Sequence, residues 1–241
     1  MTNRKPGLDA ASLRILAMGL MLVDHMGAVL FPDELWMRIA GRLAFPIFAF
    51  QIAEGYRHTQ DVGKYALRLL LFAVATEIPF NLMVSGRVFY PEHQNVLFTL
   101  LLGLIAVCQV DLLRTEQTIR RTLFRYCILV LTLLGGLLLM PDYGVLGILT
   151  VGVFYFTDGD TELRLAQTAL LAAIHVYGYG GPTVSLFGGA AEFPLQGFAL
   201  LSLIPIWMYS GEKGVWGKWL KYGCYCFYPA HMLILWMISQ L

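Results

Sequence analysis

Charged side chains are scarce in this sequence. Asp, Glu, Lys and Arg together make up 14% of its 241 residues, whereas they account for about a quarter of a typical soluble protein. Hydrophobic residues make up 58% of the chain, and the mean hydropathy is +0.65. A soluble domain of this length could not cover its surface with so few polar groups, so the composition predicts a polytopic membrane protein.

The sequence also lacks the common nucleotide and metal motifs. It contains no Walker loop, no dinucleotide-binding glycine fingerprint and no HExxH pair. The net charge of +1 and the lack of a long basic tract give no indication of a nucleic-acid partner. The few cysteines all lie inside predicted helices, so we expect neither a disulfide nor a metal site. They are Cys108, Cys127, Cys224 and Cys226.

Long apolar runs dominate what remains. A helix needs roughly 20 residues to cross the hydrocarbon core, and the period-2 alternation typical of strands is absent. We therefore predict an all-α bundle of about nine to ten transmembrane spans, forming a single domain over residues 1–241. The predicted spans cover residues 12–31, 35–56, 64–84, 95–113, 121–140, 143–157, 163–179, 195–210 and 219–240.

Basic residues fall at alternate connections between these spans. Cytoplasmic connections are enriched in Lys and Arg, so these connections and the N-terminus are predicted to be cytoplasmic. The remaining connections carry Arg87 alone, with Arg38 nearby. The cytoplasmic set comprises Arg4, Lys5, Arg57, Lys64, Arg68, Arg114, Arg120, Arg121, Arg125, Lys213, Lys218 and Lys221.

Three ionisable residues interrupt the first span: Arg14, Asp24 and His25. Arg14 and His25 are eleven positions apart, almost a whole number of helical turns, so they share one face at a separation of about 16 to 17 Å. Met18 and Met21 lie on the same face. This stripe has a cation at one end and an imidazole at the other. The pattern predicts that this face of the helix lines a channel or slot.

Other spans carry polar residues at the depth of His25. A charge at the bilayer centre costs about 2.5 to 3.5 kcal/mol on insertion scales. Asp24, Arg42 and Glu77 are therefore expected to pair with one another or to line a wet cavity. The predicted polar layer also includes Arg38, Asn95, Thr99, Gln196 and His231, with Tyr228 close to His231 in sequence.

A structural interpretation stays open for several of these residues. His175 and His231 could each be an ordinary interhelical hydrogen bonder, and Glu77 could simply hold Arg42 in a buried ion pair. Arg38 and Arg42 could extend toward the outer interface. A second polar set lies at the predicted cytoplasmic end of the span 35–56. A solvated helix end is the simplest explanation for it, and binding of a phosphate-bearing ligand is the alternative. The set consists of Gln51, Glu54, Arg57 and His58.

Together these residues resemble the TraX family. The resemblance rests on the runs LRILAMGLMLVDHMGAVLFP, LWMRIAGRLAFPIFAFQIAEGYRHT, KYALRLLLFAVATEIPFNLM, NVLFTLLLGL, DYGVLGIL and KYGCYCFYPAHMLIL, which extend over nearly the whole chain. The spacing of Arg14 and His25 is also similar to the Arg/His motif on the first helix of the acyltransferase-3 family. A more distant resemblance extends to the heparan glucosaminide acetyltransferases.

The resemblance implies a multi-pass acyltransferase of the bacterial inner membrane, whose co-substrate is acetyl-CoA or another acyl-CoA. Arg14, Met18 and Met21, with Arg57 and His58, would hold the donor. His25 would act as general base, oriented by Asp24 or, more directly, by Glu77. Arg42 would stabilise the oxyanion, as would Asn95 or Gln196.

The resemblance leaves the acceptor open among a pilin N-terminus, a glycan and a lipid headgroup, reached from the outer face. Asn95, Gln196, Tyr228 and His231 are the candidate acceptor-binding residues. Besides the bilayer, the partners considered include a second copy of the chain.

Two other functions fit parts of the pattern. A secondary transporter would also carry ionisable residues at the midplane, although no inverted repeat is visible. A structural or assembly protein would need no aligned polar layer. Consumption of a thioester distinguishes the enzyme from both, and solute flux would favour the transporter.

Overall fold

The computed structural model describes residues 7–157, 162–186, 189, 191–214 and 218–241. Arg4, Lys5 and the side chains of Lys218 and Lys221, all placed by the sequence on the cytoplasmic side, lie outside the described part. The described residues form ten α-helices, α1 to α10. These are Ala10–Val29, Leu35–Gly41, Ala44–His58, Val62–Ser85, Val96–Thr115, Ile119–Leu138, Gly144–Phe156, Leu163–Ala172, Leu203–Trp207 and Lys218–Ser239.

The polytopic all-α fold is confirmed. Among the described residues, four helices are long and apolar enough to cross a membrane by length and composition: α1, α4, α5 and α6. Each matches a predicted span to within two residues at either end. The shorter apolar segments Gly144–Phe156, Leu195–Trp207 and Cys226–Ser239 coincide with further predicted spans.

Three regions differ from the predicted continuous helices. The span 35–56 is broken after Gly41 and resumes as α3, because Pro46 has no N–H to continue the first helix. The span 163–179 ends in a π-helical turn over Ala173–Gly178, and the span 195–210 begins as a 3-10 helix over Leu195–Ser202. Just before that 3-10 helix the chain forms an antiparallel hairpin, which the sequence analysis did not predict. Its strands are β1 (Thr183–Leu186) and β2 (Ala191–Pro194).

The helices form two compact units. One, here called the split unit, comprises Met1–Gln51 and Thr168–Leu241, and the other, the central unit, comprises Ile52–Gln167. The organisation as a single domain stays a prediction.

In the split unit, α1 packs against α2 and α10. Its N-terminus is capped by Asp9, whose carboxylate accepts a hydrogen bond from the Ser12 amide at 2.8 Å. Glycine allows the close approach of α2: a Cβ on Gly41 would overlap the Asp24 side chain. The α1–α2 contact is therefore tightest at the turn that carries Asp24.

In the central unit, α5 packs against α4, α6 and α7. Half of the residues in the most apolar stretch of α5 are buried, compared with 11% in that of α6. Helix α5 therefore forms the core of this unit and α6 its periphery. Gly103 lets α5 approach α7, because a Cβ there would lie 2.7 Å from a Val151 methyl. Asn95 caps α5 by accepting a hydrogen bond from the Leu97 amide at 3.1 Å.

Candidate functional site

Six polar side chains of the split unit meet at the C-terminal half of α1, and we call this group the His25 site. Two come from α1 and two from α2 and the residue that follows it. The others come from the 3-10 helix and from α10. In chain order they are Asp24, His25, Arg38, Arg42, Gln196 and His231.

One carboxylate in this site serves two guanidinium groups. Arg42 Nη2 lies 2.7 and 2.6 Å from the two carboxylate oxygens of Asp24. Arg38 Nη1 lies 2.9 Å from Asp24 Oδ1 and also donates to the Asp24 backbone carbonyl at 2.8 Å. The side chains of Asp24 and Arg42 are only 13% and 15% exposed. Of the three charged residues expected to pair with one another or to line a wet cavity, Asp24 and Arg42 do pair with each other. The side chains of Asp24, Arg38 and Arg42 together carry one formal positive charge in excess.

A hydrogen-bonded chain extends from Arg42 to a second buried histidine. Arg42 Nη1 donates to Gln196 Oε1 at 3.3 Å, and the Gln196 amide donates to His175 Nδ1 at 3.1 Å. His175 lies in the π-helical turn, is 1% exposed and stacks on Tyr179. The chain holds the Arg42 guanidinium in a defined orientation.

His25 contacts His231 directly. His25 Nδ1 lies 2.8 Å from His231 Nε2, although the two residues are 206 positions apart. His231 Nδ1 in turn lies 2.8 Å from the backbone carbonyl of Phe227, and the Phe227 ring stacks on the His231 imidazole with centroids 4.7 Å apart. The Tyr228 ring lies beside the His231 imidazole, with ring centroids 5.8 Å apart.

The N-terminal end of α1 carries the other predicted cation. Arg14 is half-buried, and its Nε donates to Gln51 Oε1 at 3.2 Å. Gln51 Nε2 donates to the Ala10 carbonyl at 3.0 Å. Between Arg14 and His25, Met18 is half-buried and Met21 is buried, so the predicted stripe does face away from the exposed side of α1.

In the central unit, Glu77 is held by Asn95. Its Oε2 accepts from the Asn95 side-chain amide at 2.6 Å, and the same amide donates to the Ala73 carbonyl at 2.8 Å. In the neighbouring loops His93 Nε2 lies 3.1 Å from Asp142 Oδ1. The hydrogen bond with that carboxylate raises the pKa of the His93 imidazole above its usual range.

The second predicted polar set also lies largely in the central unit. Arg57 Nη2 donates to the carbonyls of Phe154 at 3.2 Å and of Tyr155 at 2.6 Å, at the C-terminus of α7. His58 Nε2 lies 3.0 Å from a carboxylate oxygen of Glu54. These contacts favour the interpretation of the set as a helix-end network.

A model of the TraX protein family matches residues 9–239 of the chain. The chain belongs to the TraX family.

The chain is also similar to individual named proteins. A probable fimbrial assembly protein FimC (serogroup H1) of Dichelobacter nodosus is 28% identical, with 97% of this chain and 96% of that protein aligned. Protein TraX of Escherichia coli strain K12 is 26% identical over 67% of this chain, and the alignment spans 62% of that protein's own length. No solved structure matches the chain.

In this TraX-family protein, the predicted site residues thus fall into two groups. The split unit holds most of them, and the central unit holds Arg57, His58, Glu77 and Asn95. The residue hydrogen-bonded to the His25 ring is His231, in place of the expected Glu77, whose carboxylate binds Asn95. His231 was expected to contact the acceptor instead.

Sequence reasoning missed some polar pairs altogether. It did not find the bond between His175 and Gln196, and it did not find a pair of tyrosines on Asp111. The hydroxyls of Tyr56 and Tyr155 donate to the two oxygens of Asp111 at 2.9 and 2.6 Å. No local spacing indicates such contacts, because each joins helices distant in sequence.

The His25 site combines groups that can carry out acid–base chemistry. An imidazole can take a proton from an amine or hydroxyl. A group with excess positive charge, held rigidly by Asp24 and Gln196, can stabilise an oxyanion.

Proposed function

We propose that this protein is an integral-membrane acyltransferase. It moves an acyl group, in the simplest case acetyl, from cytoplasmic acyl-CoA to an amine or hydroxyl reached from the outer face. The observation that carries the proposal is the half-buried His25 imidazole on the same turn of α1 as the Asp24–Arg38–Arg42 cluster. A structural role alone would not require a base and an excess positive charge together inside a membrane span.

Four residues of the His25 site and the neighbouring Tyr228 have proposed roles in the reaction. His25 is the general base toward the acceptor, a role that typically contributes about 10² to 10⁴ in rate. Arg42 faces the developing oxyanion, and Asp24 fixes Arg42 rather than the imidazole. Gln196 positions Arg42 from the other side, and Tyr228 lines the acceptor side next to His231.

The donor is proposed to lie along α1. Arg14 binds a phosphate of acyl-CoA near the cytoplasmic end, and the pantetheine arm follows Met18 and Met21 toward His25. Gln51 supports this role, because it holds the Arg14 guanidinium while its own amide is anchored on Ala10. Arg57 and His58, the other predicted donor residues, are engaged by carbonyls and by Glu54.

Replacing Arg14 by Gln should raise the KM for acyl-CoA about tenfold to a hundredfold, the value of a hydrogen bond to a charged group. The kcat should change little, because the substitution removes binding rather than chemistry. Steady-state kinetics with varied acyl-CoA measure both constants. If Arg57→Gln raises this KM and Arg14→Gln does not, the donor site lies in the central unit.

The acceptor is proposed to be a fimbrial subunit, in line with the name of the fimbrial assembly relative. A glycan and a lipid headgroup are the other candidates. Purified protein is supplied with acetyl-CoA and, in parallel, with a subunit N-terminal peptide, a sugar or an aminophospholipid. Free thiol should be released with the peptide, and release with the sugar or the phospholipid alone would assign the acceptor to that class instead. Solute uptake into proteoliposomes without thiol release with any acceptor would contradict the proposal and favour a transporter.

The proposed location is the bacterial inner membrane, with the N-terminus cytoplasmic. The loops of the central unit support this orientation. The connection between α4 and α5 contains Arg87 as its sole Lys or Arg, whereas Arg114, Arg120 and Arg121 flank the connection between α5 and α6.

Cysteine labelling tests the orientation. In a variant without native cysteines, Val88→Cys should react with a membrane-impermeant maleimide in intact cells, because Val88 is 61% exposed in the outer connection. Gln117→Cys, in the opposite connection, should react only after the membrane is opened. The reverse pattern would invert the topology and place the donor stripe on the wrong side.

A further inference from the structure

The two imidazoles of the His25 site meet edge to edge. Their planes are inclined by only 9° and their centroids are 5.0 Å apart, while His25 Nδ1 and His231 Nε2 are separated by 2.8 Å. A nitrogen–nitrogen distance so much shorter than the centroid distance places the rings side by side, almost in one plane. This is the geometry of a direct hydrogen bond between ring nitrogens.

The second contact of His231 decides which nitrogen donates. The Phe227 carbonyl can only accept, so His231 Nδ1, 2.8 Å away, carries a proton. In a neutral imidazole the other nitrogen is then an acceptor, so His231 Nε2 accepts. His25 Nδ1 must therefore be the donor, and the lone pair of neutral His25 is on Nε2.

From this geometry we infer that His231 is a positioning residue that keeps the proton of His25 on Nδ1 and so reserves Nε2 as the basic nitrogen. The inference rests on the proposed acyl transfer and identifies the group that orients the base. Phe227 contributes twice, through the carbonyl that fixes the His231 proton and through the ring that stacks on the His231 imidazole.

The reaction step balances with this arrangement. The acceptor nitrogen or oxygen bonds to the acyl carbon, and the carbon–sulfur bond to CoA breaks. The acceptor's proton passes to His25 Nε2, and from Nε2 it passes to the departing thiolate, which leaves as free CoA. Throughout, His25 Nδ1–H donates to His231 Nε2, so the base starts and ends each turnover as the same tautomer.

The other tautomer could not perform this step. With the proton on Nε2, the nitrogen facing the acceptor would be a donor, and the lone pair would face His231. Because His231 Nε2 offers only a lone pair to His25, that tautomer would place two acceptors against each other. The orienting group of this base is thus a neutral imidazole, which makes a hydrogen bond where many bases use a carboxylate.

Two variants at position 231 separate orientation from packing. His231→Leu fills similar space without an acceptor and should lower kcat about tenfold or more, the value of one hydrogen bond with its orientation, while both KM values stay unchanged. His231→Gln offers an amide oxygen to His25 Nδ1 and should restore most of the lost kcat. Equal kcat in the two variants, or higher kcat in the Leu variant, would overturn the inference.

Nitrogen NMR of the protein labelled with ¹⁵N-histidine reports the tautomer without reference to activity. The chain has five histidines, and His25→Gln identifies the His25 signals by their loss. In the unsubstituted protein, His25 Nδ1 should have the shift of a protonated nitrogen and Nε2 that of an unprotonated one. In His231→Leu both shifts should move toward those of a mixture of tautomers.

The two readouts distinguish the possible failures. A proton found on His25 Nε2 would overturn the inference even in a fully active enzyme. The expected tautomer in a protein that never consumes thioester would overturn the proposed function, and with it the catalytic use of Nε2.

Discussion

Substitution of His25 by Gln should lower acyl transfer by a factor of about 10² to 10⁴, the usual contribution of a general base. Gln has a similar size and its amide can still donate a hydrogen bond to His231 Nε2, but it cannot take up the acceptor's proton. Binding of acyl-CoA should be retained, because the ring acts on the reaction rather than on donor affinity. Thiol release and acyl-CoA binding by purified protein measure the two quantities separately.

His93→Gln is the matched control. His93 lies in a loop of the central unit with Asp142 as its partner, so the same change there should leave turnover intact. A merely structural His25 would behave differently: Gln would be tolerated, and Ala would destabilise the fold by about 1 to 3 kcal/mol through an unsatisfied partner. Full turnover by a folded His25→Gln protein would refute the proposed mechanism.

Substitution of Asp24 by Asn should destabilise the protein by about 3 to 5 kcal/mol, the usual cost of removing one partner from a buried ion pair. The amide preserves the shape of the carboxylate but leaves Arg38 and Arg42 without the charge that balances them. Solvent cannot compensate fully, since the Asp24 and Arg42 side chains are 13% and 15% exposed. Thermal unfolding in detergent measures the change.

A double-variant cycle assigns that cost to the cluster. Asp24→Asn with Arg42→Gln should be less destabilised than the sum of the single variants, because the second change removes one uncompensated charge. Asp61→Asn is the control: the Asp61 side chain is 48% exposed beside Lys64, and Asn caps a helix about as well as Asp. Additive effects within the cycle would show that Asp24 and Arg42 do not stabilise each other.

Local chemistry explains why the long helices were predictable. Apolar length defines α1, α4, α5 and α6, and capping residues such as Asp61 and Asn95 begin α4 and α5 where the spans were expected. Pro46 could also have indicated the break between α2 and α3. It was not used, because the apolar run over residues 35–56 is long enough for one continuous span. The β1–β2 hairpin was missed because each strand has only four residues, too few for an alternating pattern to stand out from the apolar runs around it.

The site was predictable as a set of residues but only partly as a set of contacts. Helical periodicity placed Arg14, Met18, Met21 and His25 on one face. The cost of buried charge predicted that Asp24, Arg42 and Glu77 would pair with one another or line a wet cavity, and of these only Asp24 and Arg42 pair with each other. The partner of His25 was assigned to the wrong residue, because every polar group at the same depth is an equal candidate in the sequence. Only the packing of α10 on α1 selects His231.

The ion cluster and the imidazole pair of the His25 site can form at different stages of synthesis, because their partners are separated by very different distances along the chain. Asp24 is 14 and 18 positions from its two arginines, whereas His25 is 206 positions from His231. Because a chain emerges N-terminus first, the ion cluster can close while most of the protein is still unmade, and the imidazole pair forms only when the last helix docks. A growing chain can therefore pair Asp24 with its arginines early in synthesis, but it has no oriented base until α10 has docked. Loss of the C-terminal helix alone would leave the ion cluster in place and the base without its partner.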